Sequence, residues 1–169
     1  KHNRDDENGK RKAAKKLGML FGLSFPLIFV LLYGGDYLTT KKKERMLISS
    51  ARSIIESNIE KSNKLLNYSF NEKWIIETEE ILELYENTDE NFPYVYVVVA
   101  DSIDNSLTYL GFRSYYGELN DTIEPEKKNF IRKTTEVERT YLANVFFKNS
   151  DEVRFSANDG RYELFYPYT

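Results

Sequence analysis

The feature that most constrains this chain is an uncharged apolar run at residues 17–33, LGMLFGLSFPLIFVLLY. As a helix its 17 residues extend about 26 Å, and with Gly34, Gly35, Asp36, Tyr37 and Leu38 as an outer edge they reach about 33 Å. The hydrocarbon core of a bilayer is about 30 Å thick, so the run reads as a membrane-spanning helix over 17–38. Two other readings compete with it. A secretory signal has an apolar region of about 7–15 residues and a small-residue cleavage site, and the run fits neither feature well. A buried core helix rarely holds a proline, whereas a membrane helix tolerates Pro26 when a serine or a neighbouring helix satisfies the freed carbonyl. Gly18 and Gly22 form a small-xxx-small pair that permits close helix approach, although ordinary glycine tolerance in membrane helices also accounts for them.

Charge sets the orientation. Lys10, Arg11, Lys12, Lys15 and Lys16 precede the run, and Lys41, Lys42, Lys43 and Arg45 follow it. The basic excess nearest the membrane lies on the N-terminal side, which predicts a cytoplasmic N-terminus and an exported C-terminal domain in the cell (inner) membrane, crossed once. Residues 1–16 form a basic tail with seven Lys/Arg against three Asp/Glu. Its first twelve residues lack apolar periodicity and read as disordered. The chain starts at Lys1 rather than Met and stops abruptly after Tyr168 and Thr169, which reads as a partial sequence.

About 130 residues follow the run, enough for one domain with a real core. Aromatic residues make up 15% and hydrophobic residues 41% of the chain, which argues for a folded body. Residues 37–169 hold 17 Lys/Arg and 23 Asp/Glu, and an acidic body of this kind excludes nucleic acid as a partner, since phosphate contacts need clustered cations. There is no cysteine, hence no disulfide or thiol chemistry. The one histidine, His2, lies in the tail, so no Ser–His or Cys–His system and no ordinary zinc site can be assembled in the domain. No phosphate-binding glycine loop is present. No enzymatic activity and no cofactor are expected.

From about residue 40 to residue 67 the pattern is helical. Ile48, Ala51, Ile55, Asn58, Ser62 and Leu65 recur at alternating spacings of three and four, widened by Leu47, Ile54, Ile59 and Leu66. This predicts a long helix continuing from the span, a possible homodimer seam, with Asn58 and Ser62 weakening any coiled coil. A second helix is predicted over 71–85, capped by Asn71, with Trp74, Thr78, Ile81, Leu82 and Tyr85 on one face. Glu77, Glu79, Glu80, Glu83 and Glu86 crowd its other surfaces, but a regular helix lacks the turn and glycine of a calcium loop, so no metal is expected.

The period then changes to that of strands. Residues 94–100, YVYVVVA, form the first, a turn at 101–106 holds Asp101 and Asp104, and 107–112 return as the second. Pro125 opens a short helix to about residue 133. Tyr141, Ala143, Val145 and Phe147 alternate as a third strand, and Val153, Phe155 and Ala157 as a fourth. Asn158-Asp159-Gly160 turns the chain into a fifth, with Tyr162, Leu164 and Tyr166. The expected fold is therefore α+β: a membrane span, helical segment 39–90, and at 91–169 a five-stranded antiparallel sheet with flanking helices.

This order of elements, carried by FPYVYVVVADSIDNSLTYLGF and DEVRFSANDGRYELFYPYT, resembles the extracytoplasmic PAS-like sensor domains called Cache domains, found in bacterial membrane receptors. The resemblance implies a five-stranded PAS-like sheet and a ligand pocket between that sheet and the insert at 114–138. Tyr96, Tyr109, Arg113, Tyr115, Tyr116, Arg139 and Tyr141 are the residues available to line it, in keeping with aromatic walls and a few polar groups. Arg113 is placed to clamp a carboxylate. The leading functional expectation is a ligand-sensing ectodomain of a signal-transduction receptor, with a small-molecule ligand. The alternative is a single-pass adaptor or assembly protein that binds a protein partner.

Overall fold

The computed structural model describes residues 2–114, 125–158 and 160–168, with side chains from Lys15 onward. The chain divides into two units, Lys1–Arg45 and Met46–Thr169. The boundary falls within the first helix, α1, which runs His2–Ser57.

The first unit is helical and carries the apolar run. This is a helix long and apolar enough to cross a membrane, with mean hydropathy 2.0 over its best stretch and none of that stretch buried. Leu17, Phe21, Phe25, Phe29 and Tyr33 are all exposed. Pro26 denies the Gly22 carbonyl its backbone donor. The nearby Ser24 hydroxyl donates instead to the adjacent Phe21 carbonyl at 2.7 Å. The expected disordered tail is not found, since α1 already includes His2; the Lys, Arg, Glu and Ala of this stretch are good helix formers.

The second unit opens with the end of α1, where Leu47 and Ile54 are buried. The predicted continuous helix over 40–67 is instead broken at Asn58, after which α2 spans Ile59–Leu66. The two residues that weaken the coiled-coil pattern make the break. The Asn58 side-chain amide donates to the Ile54 carbonyl at 2.9 Å, and its backbone N–H reaches only Ile55 O at 3.2 Å. Ser62 Oγ lies within hydrogen-bond distance of the carbonyls of Ile55 and Asn58. The Asn58 amide thus satisfies the Ile54 carbonyl that the backbone ladder abandons, while Ser62 Oγ adds to the Ile55 and Asn58 carbonyls, which keep backbone donors.

Helix α3, Glu72–Thr88, organises the core. Asn71 caps it by accepting from the Trp74 N–H at 2.9 Å, and the buried set Trp74, Ile75, Thr78, Ile81, Leu82 and Tyr85 includes every face residue that the spacing predicts. Its first half packs on a β-hairpin: Trp74 and Ile75 with Val99, Leu110, Phe112 and Phe130. Its second half packs on α1 and α2: Ile81, Leu82 and Tyr85 with Ile54 and Leu65. Phe112, fully buried, touches the rings of Tyr68, Phe70, Trp74 and Phe130 at centroid distances of 4.9 to 6.5 Å. The Glu86 carboxylate accepts from Val95 N and the Ser114 hydroxyl, both at 2.7 Å, tying the hairpin ends to α3.

The hairpin pairs β1 (Tyr96–Ile103) with β2 (Ser106–Arg113). Its turn is only Asp104 and Asn105, both at positive φ (50° and 61°), the two-residue turn whose twist matches the strands. Asp101, expected in a six-residue turn, is a strand residue opposite Thr108. A single turn of 3-10 helix, Lys127–Phe130, stands where the short helix after Pro125 was expected, and Ile131 bridges to Leu110.

The expected third strand is helix α4, Glu136–Lys148. Thr135 and Glu138 form a capping box, Leu142 is the buried residue, and Asn149 closes the helix in the left-handed region. The alternating residues Tyr141, Ala143, Val145 and Phe147 mimic a strand, but the pairs 141/145 and 143/147 also satisfy helical spacing. The expected fourth and fifth strands are β3 (Arg154–Asn158) and β4 (Arg161–Phe165), joined by a turn with Gly160 at φ 74°. Among the described residues the fold is thus α+β, with four α-helices and two separate two-stranded sheets; a five-stranded sheet is not formed. Beyond β4, the Tyr168 hydroxyl donates to Asn63 of α2 at 2.6 Å.

Candidate functional site

Alternation along β1 and β2 gives the hairpin two unlike faces. Val97, Val99, Leu110 and Phe112 face α3. The opposite face carries Tyr96, Tyr109 and Arg113, with Tyr96 directly across from Arg113, so the register gathers three of the expected pocket residues. Gly111 shares this face, and the space above its Cα is filled by Arg132, whose Cβ lies 3.4 Å from where a side chain would begin.

Arg132 is the hub of that face. Its backbone N–H donates to the Tyr109 carbonyl at 2.9 Å. Its guanidinium donates to Glu163 at 2.6 Å and stands 3.6 Å from Glu138. The same guanidinium lies 5.6 Å from the ring centre of Tyr96 and 5.4 Å from that of Phe165, within cation–π range of both. A second arginine continues the series: Arg154 stands 5.6 Å from Phe165 and 5.7 Å from Tyr141. Ring and cation therefore alternate from β1 through β4 and β3 to α4. Nε of Arg132 and Nη1 of Arg154 are buried with no acceptor among the described residues.

Tyr109 lies deeper. It is 4% exposed and its ring stacks on Phe146 of α4 at 6.0 Å. Its hydroxyl is buried without a hydrogen-bond partner among the described residues. Burial raises its pKa, against a smaller opposing pull from the charge of Arg139. Arg139 itself is on the exposed side of α4. Tyr141 is a helix residue, not a strand residue; its hydroxyl donates to the Glu152 carbonyl at 2.7 Å and its ring meets Phe165 edge-on at 5.5 Å. Burial also raises the Tyr141 pKa, as does Glu152, against the opposing charge of Arg154. Tyr115 and Tyr116 lie outside the described residues.

Glu138 has two tasks. Burial would raise its pKa, but the Thr135 backbone N–H and hydroxyl and the charges of Arg132 and Arg154 outweigh this and hold it below the usual carboxylate range. It caps α4 and faces Arg132 with one carboxylate. Arg132, Glu138, Arg154, Glu163 and Phe165 are absent from the sequence-derived set. The Thr135-x-x-Glu138 spacing is the local signal that could have marked a helix start here, but nothing local announces that Arg132 meets Tyr96.

A second polar group sits on the core face. Asp101 accepts from the Tyr68 hydroxyl and from Lys127 at 2.8 Å. Burial raises the Asp101 pKa, but Lys127, Tyr68 and the Ser102 N–H outweigh it and hold the carboxyl below its ordinary value. This group is a tether between hairpin and 3-10 turn. No group of three or more His, Cys, Asp or Glu side chains is placed to hold a metal ion among the described residues.

Comparison of the chain with protein families, curated proteins and solved structures finds no match in any of the three.

Proposed function

We propose that this chain is a membrane-anchored, extracytoplasmic ligand-sensing domain of a signal-transduction receptor, with a small molecule bound over the outer face of the β1–β2 hairpin. The observation that carries the reading is Tyr109, whose hydroxyl, buried between the hairpin and α4, has no hydrogen-bond partner among the described residues. A buried polar group without a partner costs about 1–3 kcal/mol and calls for a water, an ion or a ligand. The exposed apolar helix supplies the anchor. The test is thermal denaturation of the full chain in detergent micelles against a panel of small metabolites. A ligand that raises the melting temperature of the wild type and not of Tyr109→Phe supports the reading, since a native-state ligand must stabilise. A ligand whose effect survives Tyr109→Phe removes the site, and a panel without any stabilising member removes the sensor.

A second reading, an adaptor that binds a protein partner, is favoured by α4, which leaves Val137 67% and Phe147 57% exposed. Cross-linking in the native membrane separates the two. A defined complex lost in Val137→Asp and Phe147→Asp variants favours the adaptor.

A further inference from the structure

One row of side chains in the first unit is ordered by polarity. Phe21, Phe25, Phe29, Tyr33, Tyr37, Lys41 and Arg45 follow one another at intervals of four along α1. Residues four apart are neighbours on a helix, so these side chains form one ridge, advancing about 6 Å and turning about 40° per step. Phe21 meets Phe25 at 6.2 Å and Phe29 stacks on Tyr33 at 6.4 Å. All five rings are exposed, and Lys41 and Arg45 are exposed as well. The order is phenyl, then phenol, then cation.

That order matches the profile of a bilayer. With the uncharged stretch 17–35 centred on the membrane, its middle residue is Pro26. Tyr37 then sits about 16 Å from the midplane, at the edge of the hydrocarbon, and Lys41 about 22 Å out, at the headgroups. Helix side chains lean toward the helix N-terminus, so at this end Lys41 and Arg45 lean back toward the membrane. Lys42 and Lys43 add cations to the same turn, against Asp36 and Glu44. Glu44 pairs with Lys41 at 2.6 Å, leaving the collar of residues 41–45 with four cations to one carboxylate. We propose that Tyr37, Lys41 and Arg45 form a binding site for the phosphate headgroup of an anionic phospholipid in the leaflet at the C-terminal end of the span. The tyrosine ring sits at the hydrocarbon edge below the headgroup, as aromatic residues do at membrane interfaces, and the two cations at headgroup level neutralise the lipid charge. The proposal rests on the membrane-anchor reading.

The test uses the full chain in nanodiscs doped with spin-labelled phosphatidylglycerol or spin-labelled phosphatidylcholine, with the motionally restricted fraction of each read by electron paramagnetic resonance. The wild type should hold phosphatidylglycerol at least about threefold over phosphatidylcholine. A Lys41→Gln/Arg45→Gln variant should show no preference, and Lys15→Gln/Lys16→Gln should keep it. Equal restriction of both lipids by the wild type, or a preference that survives Lys41→Gln/Arg45→Gln, overturns the proposal and leaves the anchor standing. A chain stripped from vesicles by carbonate overturns the anchor and the lipid site together.

Discussion

Ser62 Oγ lies 2.6 Å from the Tyr85 hydroxyl in the buried seam between α2 and α3. Ser62 has one proton and two carbonyls within reach, those of Ile55 and Asn58, which makes Tyr85 the donor in the contact between the two hydroxyls. Tyr85→Phe keeps the ring and removes that donor. The unfolding free energy should fall by about 1 kcal/mol, the usual net worth of such a bond. Denaturant titration of the chain in micelles, followed by the fluorescence of Trp74, the chain's one tryptophan, measures it.

Phe112 is fully buried among four rings. Phe112→Ala should therefore destabilise the second unit by about 3–5 kcal/mol, with Phe112→Leu costing less because it fills most of the cavity. The same titration reads both variants, and a loss below about 1 kcal/mol for the alanine would show that the hairpin does not depend on this cluster.

Arg132 joins the β3–β4 ribbon to the first hairpin through Glu163 and the rings of Tyr96 and Phe165. Arg132→Gln should speed amide hydrogen exchange across residues 154–158 and 161–165 while β1 keeps its protection. Arg132→Lys should behave like the glutamine variant, because a lysine lacks the planar fork that donates and stacks at once. Exchange that rises equally in both hairpins would contradict this division.

Acid should act through Asp101. Its pKa is held below the ordinary value, so its contribution is present above the unfolded-state pKa of about 4 and is lost as pH falls through the folded value. Glu138 is shifted the same way and adds to the loss. Burial chiefly, with Asp101 beside it, raises the Tyr68 pKa, so that contribution persists below about pH 10 and fades at higher pH. Asp101→Asn should flatten the acid limb of the melting temperature plotted against pH and lower stability at neutrality. An unchanged acid limb in that variant would assign the effect elsewhere.

Local chemistry was the legible part of this chain. Asn71 before Trp74, and the buried face through Tyr85, follow from a cap and a 3.6-residue period. The hairpin follows from β-branched alternation around Asp104 and Asn105. Alternation misleads at Tyr141 to Phe147, where the Thr135–Glu138 capping box carries the better signal. Strands β3 and β4 are readable one by one, but whether two hairpins share a sheet depends on which edges meet, and local pattern is silent on that. The site divides along the same line. Tyr96, Tyr109 and Arg113 share a face because strand parity dictates it, whereas Arg132, Arg154 and Phe165 join them only through tertiary contacts.

The break at Asn58 has a mechanical consequence. Between the end of α1 and α2 the backbone ladder tightens by one step, Asn58 N reaching Ile55 O, while the Asn58 amide takes over the Ile54 carbonyl and Tyr85 meets Ser62 from the side. A helix interrupted in this way bends more easily than an unbroken one, because kinks form where side chains enter the backbone ladder. A load on this segment therefore bends it first at Asn58, and Tyr85→Phe loosens the joint while leaving the backbone bonds on either side intact.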